Sequence, residues 1–237
     1  MSSDYFERRK AMYLTSKVEE IDASPTLAIS SKASEMKNQG IDIIGLGAGE
    51  PDFGTPDHIK EAGIAAIEAG FTNYTATPGT LELREAISNK LETENGLVYD
   101  PEEIIVSSGA KHSLYNTLQA ICGRGDEVII PSPYWVSYPQ QIKLAGGQPV
   151  VVRTEESNDF KLKLADLKAA ITEGTRALIL NSPSNPTGAV YTKEELRAIG
   201  ELAVEHDIYI IADEIYEKIT YEAEAVSIAS LSEEIKE

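Results

Sequence analysis

Short runs rich in Val, Ile and Leu recur along the 237-residue chain, and amphipathic helical stretches lie between them. IDIIGLG begins at residue 41, EIIVSSG at 103, DEVIIPSP at 126, GQPVVVR at 147, ALILNSP at 177 and DIYIIAD at 207. Runs that are apolar at every position suit strands buried on both faces. Strands alternating with helices predict an α/β domain with a mainly parallel sheet covered on both sides. The helical stretches carry their own punctuation. TPDHIKEAGIAAIEAG offers Thr55 as N-cap, Pro56 at the first helical position and Gly70 as the stop. TLELREAISNKLETENG (80 to 96) places Leu81, Ile87 and Leu91 at helical spacing and stops at Gly96, and Thr192 with Glu195 forms a capping-box pattern ahead of another helix. No internal repeat or low-complexity linker interrupts the alternation.

The composition narrows the partners. A formal net charge of −18 repels nucleic acid and anionic membranes, so neither is expected as a partner. No apolar run is long enough to span a bilayer, and MSSDYFERRK lacks the apolar stretch of a secretory leader, which predicts a cytoplasmic protein. The single cysteine, Cys122, sits in the apolar stretch LQAIC and reads as a core thiol. His58, His112 and His206 have no metal-ligand spacing and read as helix-surface residues, so no metal is expected.

In open parallel sheets the ligand lies beyond the carboxyl ends of the strands, so the residues just after each run carry the information. EIIV is followed by SSGAK (107 to 111), small residues that open a helix. Exposed N–H groups and the positive end of a helix dipole suit a phosphate there, though a plain Ser/Gly turn capping the helix explains the same residues. VIIPSPYW puts the only tryptophan, Trp135, after the next strand, either as a core aromatic or as a cover for a planar ring. NSPSNPTGAV (181 to 190) stiffens a strand exit with prolines and leaves Asn185 between them; residues before proline are held extended. DIYIIADEIY (207 to 216) ends its apolar strand run in Asp213, with Tyr216 three residues on. Asp213 fits an N-cap, and the pair also offers a carboxylate for a cationic ring nitrogen and a phenol for a nearby oxygen. GLGAGE (45 to 50) imitates a dinucleotide fingerprint, but no helix follows it, so a dehydrogenase is the weaker reading.

Taken in order, SSGAK, PSPYW, NSPSNPTG and ADEIY resemble the class I pyridoxal-phosphate aminotransferases, and AGEPDF with NYTATPGTLELREAI resembles the prokaryotic-type aspartate aminotransferase branch. The likeness runs from about residue 14 to the C-terminus. It implies the type I large domain with a mixed, mainly parallel seven-stranded sheet over residues 46–237, C-terminally incomplete. Residues 1–45 would be an N-terminal arm and part of a small domain, and the protein a homodimer with active sites at the interface. It implies that Asp213 pairs with the pyridine nitrogen of pyridoxal 5'-phosphate and that Asn185 and Tyr216 bond its phenolic oxygen. Trp135 would stack on the ring, and Ser108, Gly109, Ala110 and Lys111 would form the phosphate loop. Tyr74 would reach the phosphate of the neighbouring subunit's cofactor. Gly49 would meet the substrate α-carboxylate, and Ser24, Thr26 and Lys111 would lie near the distal carboxylate of a dicarboxylic substrate, so that aspartate and 2-oxoglutarate are the expected amino-acid and 2-oxo-acid pair.

The chain departs from the family's pattern in one respect. The family's cofactor-anchoring lysine lies beyond the Asp-Glu-Ile-Tyr segment, and only Lys218 and Lys236 follow Asp213 here; neither has the expected context. Two functions therefore stay open. The chain is the cofactor-binding part of an aminotransferase whose lysine comes from a segment or second chain elsewhere, and is inactive alone. Alternatively it is a non-catalytic module that keeps the fold and binds a ligand or partner chain.

Overall fold

The computed structural model describes residues 15–19, 21–47 and 49–237. MSSDYFERRK and Ala48 of AGEPDF lie outside the described residues. The chain divides into two units, one made of the residues up to Asp22 together with Arg84–Glu237, the other of Ala23–Leu83.

After a short helix α1 (Ser16–Glu19), the smaller unit holds α2 (Pro25–Asn38) and α3 (Asp57–Glu68). Ser24 caps α2, its hydroxyl accepting from the Leu27 N–H at 3.3 Å, with Pro25 at the first helical position. In α3 the helix begins one residue later than Thr55 and Pro56 suggest, because Pro56 itself is the cap residue and no side chain bonds there. The run IDIIGLG forms no strand, and Ile44 and Leu46 are exposed.

Helix α4 (Leu81–Lys90) leads into a π-helical turn, Leu91–Asn95, that ends at Gly96 in the left-handed region, as the sequence predicts. The rest of the larger unit is α5 (Ala110–Ile121), β1 (Glu127–Ser132), α6 (Ser137–Ala145), β2 (Gln148–Arg153), α7 (Leu164–Ala170), β3 (Thr175–Asn181), α8 (Lys193–Glu205), β4 (Tyr209–Asp213) and α9 (Glu233–Lys236). The capping box of α8 forms as predicted: the Thr192 hydroxyl accepts from the Glu195 N–H and the Glu195 carboxylate from the Thr192 N–H.

The four strands pair in parallel in the order β2-β1-β3-β4. Apolar alternation explains both covers. Ile129, Leu178 and Leu180 pack with Leu167 of α7 and Leu196, Ile199 and Leu202 of α8 on one face. Val128, Ile130, Ala177 and Ile179 pack with Leu114 and Leu118 of α5 and Tyr138 and Ile142 of α6 on the other. Since successive strand residues point to opposite faces, a central strand must be apolar throughout to build both cores. Cys122 joins the second core as a buried thiol.

EIIVSSG is the second departure from the predicted strands. Ile104 is extended and buried while Ile105 is 70% exposed, the alternation of a strand face, but no ladder partner is assigned to it among the described residues. A strand exists only through the neighbour that takes its hydrogen bonds. The seven-stranded sheet that the resemblance implies is thus represented by four parallel strands.

Candidate active site

The winding of the sheet reverses at β1. From β1 the chain passes to β2 on one side and then to β3 on the other, so a crevice opens where the carboxyl ends of β1 and β3 diverge. Pro131, Pro133, Tyr134, Tyr138, Asn181 and Ser184 surround a cavity of about 20 Å³ there, room for a single water. The predicted loops PSPYW, NSPSNPTG and ADEIY all leave strands at this end.

Asp213 closes β4 and is 9% exposed. Its Oδ2 accepts from the Tyr138 hydroxyl at 2.6 Å, and its Oδ1 accepts from the Ile215 N–H at 3.3 Å. The carboxylate does bond a following backbone N–H, as a cap would, but no helix follows; the segment is a turn. Tyr138, 3% exposed, is a residue that sequence reasoning missed. Burial, and then the Asp213 carboxylate beside it, push its hydroxyl far above the ordinary phenol value, so it stays a proton donor to Asp213. The signal was present as Trp135 and Tyr138 at i and i+3, spanning the start of α6. Their rings meet edge to face with centroids 5.4 Å apart.

The crossover after β3 is held by side chains as well as by its prolines. Ser182–Pro183 and Asn185–Pro186 are cis. The Asn185 N–H donates to Asn181 Oδ1 at 2.7 Å, and Asn181 Nδ2 donates to the Asp213 carbonyl at 2.8 Å. Asn185 Nδ2 in turn donates to the Tyr216 hydroxyl at 3.2 Å. The predicted trio of Asp213, Asn185 and Tyr216 is therefore one connected network, joined through Asn181 and extended by Tyr138.

The SSGAK turn opens α5 as predicted. Gly109 is its cap residue at φ 84°, a conformation only glycine adopts freely, and it turns the backbone into the helix. The Gly109 N–H bonds Ser107 O, and the Ser108 N–H donates to Nδ1 of His112, so this exposed helix-surface histidine supports the turn. The N–H groups of Ala110 and Lys111, at the first two helical positions, have no acceptor among the described residues and add to the dipole of a 12-residue helix. The Lys111 ammonium lies 4.9 Å from the centroid of Trp135, and Gln141 Nε2 donates to the Lys111 carbonyl at 2.8 Å. Trp135, half-buried, is thus tied to both Tyr138 and the turn.

Ser24, Thr26, Gly49 and Tyr74 belong to the Ala23–Leu83 unit. Ser24 is the cap already described, Thr26 lies in the first turn of α2, Gly49 has open space around it, and Tyr74 is fully exposed. Lys218 pairs with Glu94 at 2.7 Å; that hydrogen bond and charge hold its ammonium above the usual lysine value. Lys236 lies near Glu233 and over the Tyr99 ring. The Lys218 shift is the opposite of what a nucleophilic amine needs. No helix among the described residues is long and apolar enough to cross a membrane, and no cluster of metal-ligating side chains occurs among them.

The chain is an α/β protein whose parallel sheet carries a buried carboxylate and an amide–phenol pair just past its strand ends, the region where folds of this class bind ligands, with an open helix N-terminus at the start of α5. The family described as aminotransferase class I and II matches residues 41–236, and the chain belongs to it. The chain is 54% identical over 227 residues to an aspartate aminotransferase of Bacillus subtilis, covering 95% of this chain and 58% of that protein. It is 50% identical over 214 residues to an aspartate/prephenate aminotransferase of Thermus thermophilus, covering 90% and 56%. Among solved structures, aspartate aminotransferase from Thermus thermophilus with maleate superimposes with a TM-score of 0.91 at 49% identity, over 92% of this chain and 57% of that one. The enzyme from Rhizobium meliloti gives 0.91 at 43% identity, over 95% and 57%. The chain thus spans less than three fifths of the length of these relatives. The family's cofactor is pyridoxal 5'-phosphate.

The residues present fit that group. A buried carboxylate already held by two donors retains acceptor capacity for a ring N–H. The two unsatisfied N–H groups at Ala110 and Lys111 suit a phosphate.

Proposed function

We propose that this chain supplies the cofactor-binding part of an aminotransferase that moves an amino group between aspartate, or a similar amino acid, and 2-oxoglutarate. The observation that carries the reading is the buried bond from Tyr138 to Asp213, which holds a carboxylate in one orientation at the carboxyl end of β4. Pyridoxal phosphate, when bound, supplies an electron sink for the carbanion formed on the substrate. Asp213 keeps the ring nitrogen protonated, with Tyr138 and the Ile215 N–H holding the carboxylate in one orientation. Asn185 and Tyr216 donate toward the phenolic oxygen. Ser108, Gly109, Ala110 and Lys111 hold the phosphate through the turn and the helix dipole, and Trp135 covers the ring face. Gly49, Ser24, Thr26 and Lys111 meet the substrate carboxylates. Residues 46–237 are the large domain and 1–45 the arm and part of the small domain. The working unit is a cytoplasmic homodimer in which Tyr74 reaches the neighbouring phosphate site.

The placement of Lys218 and Lys236 in surface ion pairs favours the corollary that the anchoring amine comes from a segment outside these 237 residues, supplied in the same or a second chain. The same observation keeps a second reading, a non-catalytic module that retains the fold and binds a ligand or partner.

An absorbance titration with pyridoxal phosphate tests both. The chain alone should bind it weakly and reversibly, without turnover of aspartate. Added to a fragment with the remaining family segment, it should give a stable chromophore and activity that Asp213→Ala abolishes. With that segment present, aspartate should exceed phenylalanine in kcat/KM by about tenfold or more. Failure to form a chromophore in either setting refutes the aminotransferase reading and leaves the module.

A further inference from the structure

Two arms of the site, the Asp213 carboxylate and the Asn185 amide, sit on different elements. Asp213 ends β4, and Asn185 lies four residues past the end of β3. Asn181 and Asp213 are the last register pair between these strands, so the side chain of Asn181 starts beside the Asp213 peptide. Its planar head is used at both ends: Nδ2 donates to the Asp213 carbonyl at 2.8 Å, and Oδ1 accepts from the Asn185 N–H at 2.7 Å. The Asp213 carbonyl also accepts from the Ser182 N–H at 3.2 Å. The turn beyond Asn185 closes on itself through Ser184 and Gly188 and gives the Asn185 N–H no backbone acceptor.

We propose that Asn181 is a positioning residue that fixes the separation of the Asp213 carboxylate from the Asn185 amide, and so the spacing at which a ring nitrogen and a ring hydroxyl are read together. The inference rests on the cofactor reading given above. The chemistry restricts what can stand at this position. A donor and an acceptor must share one short rigid head. Aspartate keeps the acceptor for Asn185 but loses the donor and turns a carboxylate oxygen toward the Asp213 carbonyl. Alanine loses both. Neither prolines nor backbone bonds of the crossover replace the link, since none of the described ones joins Asn185 to β4.

Trp135, the only tryptophan, reports ligand binding by quenching. The full chain is titrated with pyridoxal 5'-phosphate and with its 3-deoxy analogue, which lacks the phenolic oxygen, and amide exchange at Asn185 is followed by NMR. In Asn181→Ala the Asn185 amide should exchange about tenfold faster or more, and affinity for pyridoxal phosphate should fall about tenfold, the worth of one to two hydrogen bonds. The loss should be clearly smaller for the 3-deoxy analogue, and in an Asn185→Ala background it should shrink in the same way. Asn181→Asp, the second variant should Asn181→Ala not fold, should keep the Asn185 amide protected but cut its tie to Asp213, and so should also weaken pyridoxal phosphate more than the 3-deoxy analogue; equal losses there overturn the proposal as well. A purely structural residue would lower affinity for both ligands equally in Asn181→Ala, and that result overturns the proposal, as does unchanged exchange at Asn185. Absence of quenching in the unsubstituted chain overturns the cofactor reading and the inference with it; quenching there with Asn181→Ala unaltered overturns the inference alone.

Discussion

The hydroxyl of Tyr138 donates to Oδ2 of Asp213 at 2.6 Å across 75 positions of sequence, and both side chains are buried. The bond joins the first turn of α6 to the end of β4, so the helix packed on one face of the sheet aims the carboxylate at its edge.

Tyr138→Phe keeps the ring and its packing but removes one donor from a buried carboxylate. A hydrogen bond to a charged group is worth about 1.5–3 kcal/mol. Urea unfolding at pH 7 should show a loss of about 2 kcal/mol, with the slope of the transition unchanged.

Glu214 and Glu217, three residues apart, should respond to pH with opposite signs. Burial pushes the Glu214 carboxyl above its ordinary value, against hydrogen bonds from Ser227 and the Ile228 N–H. Its folded form prefers the proton, so its contribution is fullest below the ordinary carboxyl value and is lost as pH rises through the raised one. Glu214→Gln, which keeps an acceptor for Ile228, should gain stability relative to the unsubstituted chain as pH is raised from 4 towards 7.

At Glu217 a smaller burial effect is outweighed by bonds from Lys90 and Asn95, which hold the carboxyl below its usual value. Its stabilisation is present above the ordinary carboxyl value and disappears as pH falls through the lowered one. Lys90→Met should therefore cost stability at pH 7 and cost little in strong acid. A thermal-melt series across pH separates this from a loss of packing, which would be independent of pH.

Gly147 begins the approach to β2 with no room for a side chain. A Cβ there would lie 2.9 Å from Cys122 Sγ and 3.3 Å from both the Asp126 carbonyl and Ile142. Gly147→Ala should destabilise the chain by about 1–3 kcal/mol through overpacking. The pair Gly147→Ala with Cys122→Ala should recover part of that loss, which denaturant midpoints would show.

Leu178 lies at the middle of β3 and is fully buried in the core that includes α7 and α8. Leu178→Ala should cost about 2–5 kcal/mol, the range for a large-to-small change with a residual cavity.

The strands at 127–132, 148–153, 175–181 and 209–213 were legible because unbroken apolar runs fit only a sheet buried on both faces, and the Thr192–Glu195 box was legible because capping is local chemistry. IDIIGLG and EIIVSSG carried the same signal and form no strand, because strand pairing depends on a neighbour that composition does not reveal. Asp213, Asn185, Tyr216, Trp135 and the SSGAK turn stood out by position after strands. Tyr138 and Asn181 did not: a tyrosine in a helix and an asparagine at a strand end are common, and only the register of Asn181 against Asp213 and the packing of α6 on the sheet give them partners.

By itself the sequence determined the α/β alternation, the helix ends and the order of the loops that gather at one edge, since periodicity, glycine φ preferences and capping act over a few residues. Tertiary structure decided which donors hold the Asp213 carboxylate, how the Asn181–Asn185 pair is tied to β4, and that Lys218 is engaged by Glu94 rather than free as a nucleophile. Those contacts join residues up to 124 positions apart, such as Lys218 with Glu94, and exist only once the chain has closed on itself.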